Sequence, residues 1–85
     1  MSRHSPYVIR LTPEERTALE DRSRRYSLPY RDVIRAKLVL LAAEGLENRA
    51  IGETLDLPRE VVSRWRKRFF EERLPGLDDR PRGGR

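Results

Sequence analysis

Residues 48–67 of the chain read NRAIGETLDLPREVVSRWRK, and they carry the clearest structural signal in the sequence. Ile51 and Leu55 lie four residues apart, while Val62, Trp65 and Phe69 step by three and four residues. Both spacings put apolar side chains on one face of a helix. The stretch therefore predicts two short amphipathic helices that bury their apolar faces together.

The residues between these two helices are typical of a tight turn. Gly52 has no side chain, so the second helix can approach closely there. Asp56 falls where positive φ is expected, a conformation that aspartate tolerates better than most residues. Leu57 is expected to point inward, and Pro58 suits the start of a helix. The pattern predicts a helix-turn-helix with Trp65 as the apolar anchor.

A cationic face follows on the second of these helices. The outward side is expected to carry Arg59, Glu60, Ser63, Arg64, Arg66, Lys67, Arg68 and Phe70. Recognition helices read bases mainly with their first turns and hold phosphates with their ends. Base-edge contacts are therefore expected from Arg59, Glu60, Ser63 and Arg64, and phosphate contacts from Lys67 and Arg68. Glu60 has two interpretations, since it can accept a hydrogen bond from cytosine or pair with Arg64.

Two further sets of residues are candidates for DNA contact. Asn48 is predicted to cap the first of these helices, and with Arg49 it could clamp the DNA backbone, because a helix N-terminus favours anions. The arginines of the tail, Arg80 and Arg82, could enter a narrow minor groove.

Other local signals predict two preceding helices. Thr12-Pro13-Glu14-Glu15 has the form of a capping box with proline at the first helical position. The segment from Tyr30 to Glu44 is the most apolar and ends at Gly45, where a left-handed residue is expected. We therefore predict an all-α, homeodomain-like bundle with helices at about 13–26, 29–44, 49–55 and 58–72. An extended arm (1–11) would precede the domain (12–73), and a flexible basic tail (74–85) would follow it.

Composition supports a polyanionic partner and excludes several classes. The 85 residues carry a net charge of +5, with 19 lysines and arginines, of which only Lys37 and Lys67 are lysine. Arginine suits phosphate and guanine edges, although codon bias is an equally good explanation of this preference. There is no cysteine, and His4 alone cannot form a metal site. No catalytic constellation, cofactor motif, small-molecule site or membrane span is evident, so we expect a cytoplasmic, nucleoid-associated protein that is not an enzyme.

The chain resembles the N-terminal DNA-binding region of bacterial insertion-sequence transposases related to the mariner elements. The likeness runs from Leu11 to Arg82, and its matching stretches are 11–16, 35–45, 48–52, 62–69 and 76–82. It implies a module that binds the terminal inverted repeats of a mobile element. That family's acidic catalytic domain has no counterpart here, so its metal site is not carried over. The tail order Arg80-Pro81-Arg82-Gly83-Gly84-Arg85 also departs from the family's Gly-Arg-Pro-Arg hook.

Three functions remain open from the sequence. The first is the transposase module on double-stranded DNA, with a homodimer or the full-length transposase as further partner. The second is a stand-alone regulator or transposase inhibitor with the same fold, which would need a dimer surface. The third is a protein-interaction adaptor that binds no nucleic acid.

Overall fold

The computed structural model describes residues 7–25 and 27–78, and all regular secondary structure within them is helical. Four α-helices follow one another: α1 (Pro13–Arg24), α2 (Tyr30–Ala43), α3 (Asn48–Leu55) and α4 (Arg59–Glu72). A short 3₁₀-helix, Leu74–Leu77, comes last. The predicted all-α class with four helices is confirmed, and no predicted helix end lies more than two residues from the observed one.

Helix α2 is the centre of the domain and packs against each of the other helices. It contributes Ala36, Leu38 and Val39, none of which has any exposed surface. The helix-turn-helix closes over them with Ile51 from α3 and with Val62, Trp65 and Phe69 from α4. The apolar residues that the spacing puts on one face of each helix therefore form the core. Their contacts hold α4 in place through its buried face.

The turn between α3 and α4 has the predicted geometry. Asp56 is left-handed, with φ of 59° and ψ of 50°. The Leu57 amide donates to the Gly52 carbonyl at 2.9 Å, which closes the turn back onto α3. A Cβ added at Gly52 would lie 2.7 Å from the Leu57 carbonyl oxygen and 3.7 Å from Val62 Cγ2. Glycine is therefore required by the backbone of the turn more than by α4 itself.

Gly52→Ala is expected to destabilise the domain by about 1–3 kcal/mol, because a backbone carbonyl has to move to admit the methyl group. Chemical denaturation of the variant measures the change. Thr54→Ala on the exposed side of the same helix is the control, and its effect should be small. Equal stability of the Gly52 variant and the wild type would contradict the close approach described here.

Helix α1 begins with the predicted capping box. The Glu15 amide donates to Thr12 Oγ1 at 3.0 Å, and the Thr12 amide donates back to Glu15 Oε1 at 3.1 Å. Glu15 also accepts two hydrogen bonds from Arg73, from Nε at 2.9 Å and from Nη2 at 2.7 Å. Arg73 in turn donates to the Arg10 carbonyl and lies over the Phe69 ring. This pair joins the start of α1 to the end of α4.

The Glu15–Arg73 pair should make stability depend on acid pH. The Arg73 guanidinium, together with the Thr12 bonds, lowers the pKa of Glu15. A carboxyl with a lowered folded pKa stabilises the fold above its unfolded value of about 4.3, and this contribution is lost as the pH falls through the folded value. Glu15→Gln should therefore lose stability at neutral pH and show a shallower decline between neutral and acid pH than the wild type. Parallel acid denaturation curves would contradict this assignment; Glu14→Gln, exposed in the same turn, is the control.

The domain extends beyond both boundaries that the sequence predicts. Leu77 is 2% exposed, and its carbonyl accepts a hydrogen bond from Arg35 Nη1 at 3.1 Å, so the tail is folded from Leu74 to Leu77. At the other end, Ile9 is buried in the core and the Tyr7 ring meets Phe70 edge-on at 5.2 Å. The predicted arm and tail thus each contribute a core side chain.

Candidate nucleic-acid interface

One face of α4 is turned away from the core along its whole length. Its exposed residues are Arg59, Glu60, Ser63, Arg64, Lys67, Phe70 and Glu71. They recur at three- and four-residue intervals, opposite Val62 and Phe69. The sequence predicted all but Glu71 on this side of the helix.

An open depression lies in front of the first turns of α4. It is lined by Asn48, Arg59, Glu60, Ser63 and Arg64, and we name it the α3–α4 depression. The fold therefore brings together the four predicted base-edge candidates with one of the two predicted backbone clamps. No ion pair between Glu60 and Arg64 is found in the described part of the chain, so the pairing interpretation of Glu60 is not what the structure shows.

The N-termini of α3 and α4 both open on this depression. Neither is capped by a side chain, since the cap residues are Glu47 and Pro58 and neither makes a side-chain cap hydrogen bond. The first amides of a helix carry partial positive charge and lack partners within the helix. Two helix ends thus add a field that favours anions to the cations of α4.

Asn48 has a role that the sequence did not predict. It is the first residue of α3 and not its cap, and its Oδ1 accepts a hydrogen bond from Arg66 Nη1 at 3.0 Å. The prediction of Asn48 as N-cap is wrong, because Glu47 already has the extended backbone of the cap position. Asn48 stays half-buried at the rim of the depression.

Arg66 does not lie on the outward face, and this prediction is wrong. The residue is 5% exposed, and its guanidinium donates to the Tyr7 carbonyl at 2.8 Å, the Leu46 carbonyl at 2.8 Å and Asn48 Oδ1. Burial lowers the pKa of Arg66, although an arginine stays protonated in proteins. A signal was available: Val62, Arg66 and Phe69 are spaced by four and three residues, which puts Arg66 on the core side.

Trp65 is the buried anchor that the spacing predicts, at 8% exposure. Its ring lies between two guanidinium groups, Arg35 at 3.9 Å and Arg68 at 4.8 Å from the ring centroid. Such cation–π contacts stabilise most when they are shielded from water. Arg68 is therefore half-buried over the indole, whereas Lys67 is exposed.

The remaining candidates fall into two groups. Arg49 is exposed at the start of α3, where its Nε lies 3.4 Å from Glu53 Oε2. An ion pair this exposed contributes little to stability, so Arg49 can exchange partners at small cost. Arg80 and Arg82 lie outside the described residues.

The described helices include none long and apolar enough for a bilayer crossing. A short helix and a tight left-handed turn, followed by a second helix with an anchored apolar side and a cationic exposed side, define a helix-turn-helix domain.

The family model of the homeodomain-like domain matches residues 29–78, and the chain belongs to this family. Membership in this family indicates that the chain binds DNA. Comparison with curated proteins and with solved structures found no significant match. The match begins just before α2 and ends just after the 3₁₀-helix, so α1 and residues 7–11 lie outside it.

Proposed function

We propose that this chain is a sequence-specific DNA-binding module of a transposase, and that it recognises the terminal inverted repeats of the element through α4 in the major groove. The observation that supports DNA reading by α4 most directly is the convergence of Arg59, Glu60, Ser63 and Arg64 on one open depression. The transposase origin rests on the resemblance of residues 11–82. The full-length transposase or a second copy of the chain is the further partner, and the nucleoid is the place of action.

The exposed side chains of α4 differ in the DNA groups that they can contact. Arg59 and Arg64 can each make two hydrogen bonds to O6 and N7 of guanine, and Glu60 can accept one from N4 of cytosine. Ser63 can donate or accept, so it adapts to either base. Lys67, one turn further along the exposed face, contacts phosphate as a mobile point charge.

Phosphate contacts outside α4 fix the register of the helix on the duplex. Asn48 is held by Arg66 at the start of α3, which leaves its amide nitrogen for a phosphate oxygen. Arg49, released from Glu53, reaches the same strand. We propose Arg80 and Arg82 as minor-groove contacts of the tail. Arg68 reaches phosphate only if it leaves the Trp65 ring, so we expect it to contribute less than Lys67.

Arg64→Ala is expected to leave the fold intact and to weaken specific binding by about 1–3 kcal/mol. The side chain is exposed and makes no described contact with the core. Titration of wild type and variant against a terminal-repeat duplex and a random duplex measures the change. Thermal melting of both proteins shows whether the fold is preserved, and equal loss of stability and of binding would contradict the proposed role.

The same titration, repeated at several salt concentrations, tests the function itself. A chain that neutralises several phosphates loses affinity steeply with salt, with a logarithmic slope of about −0.9 per phosphate. Preference for the terminal repeat together with a steep slope supports the proposal. Equal affinity for both duplexes would remove the sequence specificity, and a dimer on a palindromic site would favour a regulator over a transposase module.

A further inference from the structure

Four surface depressions form a band that starts at the α3–α4 depression, and each of them shares one lining residue with the next. The α3–α4 depression shares Arg59 with a second one over the turn. That one shares Leu57 with a cleft between α2 and α4, and the cleft shares Tyr30 with a groove between α1 and α2. The band therefore connects the recognition helix to α1, which lies outside the family match.

The α1–α2 groove at the far end of this band is cationic. Its lining includes Arg24, Arg25 and Lys37, and none of its described lining residues is acidic. Arg25 is paired with Asp21 at 2.7 Å, so its charge is largely offset. Arg24 and Lys37 are exposed, and Arg24 is steadied by a hydrogen bond from its Nε to the Glu20 carbonyl at 3.2 Å.

Tyr30 and the start of α2 complete an anion-binding arrangement. Tyr30 is the first residue of this 14-residue helix. Its side chain is 75% exposed, which is unusual for a large aromatic residue. No side chain caps α2. The acid of its first turn, Asp32, is held by Arg35 at 3.7 Å. Like the N-termini of α3 and α4, the N-terminus of α2 thus has first-turn amides that no side chain caps. The N-terminus of α1 differs, because its capping box binds these amides.

We infer that the α1–α2 groove is a second contact site for the sugar–phosphate backbone of the same duplex that α4 reads, with Arg24, Lys37 and Tyr30 as its contact residues. This inference rests on the proposed function and adds to it a role for α1. Two cations, a phenol hydroxyl and an open helix N-terminus suit phosphate oxygens. The band links the two sites along the surface, by way of a depression over the turn whose lining holds Glu53 and Asp56 beside Arg49 and Arg59. A backbone contact carries no base preference.

The test compares the double variant Arg24→Ala/Lys37→Ala with the wild type by titration of terminal-repeat and random duplexes over a range of salt. Each lost phosphate contact should reduce the steepness of the salt dependence by about 1, so a change of about 2 is expected. The loss of affinity should be the same on both duplexes. The matched control is Arg10→Ala/Arg16→Ala, which removes the same charge from exposed cations that line none of these depressions. Thermal melting of both double variants shows that they are folded.

The inference is overturned if the affinity of the Arg24/Lys37 variant depends on salt as steeply as that of the wild type or of the control. So does a stoichiometry of two duplexes per wild-type chain that falls to one in the Arg24/Lys37 variant, because the groove would then hold a second duplex. Failure of the proposed function looks different, since the wild type itself would then show no preference for the terminal repeat. A wild type that prefers the repeat, with an unchanged variant slope, removes only the groove.

Discussion

Trp65→Ala should lower the free energy of unfolding of this domain by about 3–5 kcal/mol. The indole is 8% exposed at the junction of α2 and α4, and its removal leaves a cavity and takes the shared aromatic surface from Arg35 and Arg68. A domain of this size has a total stability of only about 4–13 kcal/mol. The loss is thus a large part of the total, and the variant is expected to melt at a much lower temperature than the wild type, which circular dichroism and thermal melting measure.

Phe70→Ala on the same helix is the matched control for this loss. Phe70 is 42% exposed and has one described aromatic contact, with Tyr7, so its replacement should cost only about 1 kcal/mol. If the two variants melt at the same temperature, the inside and outside of α4 have been assigned to the wrong residues.

Arg66→Ala is the second variant with a large expected effect. It should lower the free energy of unfolding more than it lowers the affinity for DNA. The guanidinium joins three parts of the chain, Tyr7 in the N-terminal segment, Leu46 before α3 and Asn48 at its start. Its removal leaves three acceptors without this donor, each at a cost of about 1–3 kcal/mol where water cannot replace it. We expect a total loss of about 3–5 kcal/mol, the range found when one member of a buried charged network is removed. Urea denaturation measures it.

Arg66→Lys separates geometry from charge. A lysine keeps the charge but has no planar fork to serve three acceptors, so it should recover only part of the stability. Lys67→Ala is the neighbouring control, since Lys67 is exposed and should affect binding alone. If Arg66→Ala is as stable as the wild type but binds DNA more weakly, the result would contradict the buried position of Arg66 and support the outward position that the sequence predicted.

The parts of the fold that sequence predicts well depend on short-range geometry. The capping box at Thr12 and Glu15 and the left-handed turn at Asp56 each involve residues close together in the chain. The apolar spacing of α3 and α4 fixes which side of each helix is buried. These signals are local, so the four helices and the exposed face of α4 follow from them.

Arg66 shows where local signals are insufficient. Its acceptors at Tyr7 and Leu46 are 59 and 20 residues away, so no window around α4 contains them. Helical spacing alone would put Arg66 on the core side, but a charge is buried only where acceptors are in place. The charge of Arg66 predicts an exposed position, whereas its tertiary hydrogen bonds keep it buried.

The folded tail and the α1–α2 groove were missed for a related reason. Pro75 and Gly76 are typical of a chain break, yet a Cβ at Gly76 would lie 2.6 Å from the Arg68 carbonyl oxygen, so this glycine allows the tail to pack on α4. Leu74 and Leu77, three residues apart, were the available signal. Arg24 and Lys37 lie on different helices, and only the packing of α1 against α2 brings them to one groove.

The most direct test of the account is a nuclear magnetic resonance titration of the labelled chain with a terminal-repeat duplex. We expect the largest amide shift changes at Asn48 and Arg49 and along the exposed residues of α4, from Arg59 to Lys67. The Trp65 indole and the amides of the α1 capping box should change little. Amide changes confined to the start of α1, such as residues 14–17, or no saturable change at all, would contradict the claim that the core holds α4 in place so that its exposed face can enter the groove.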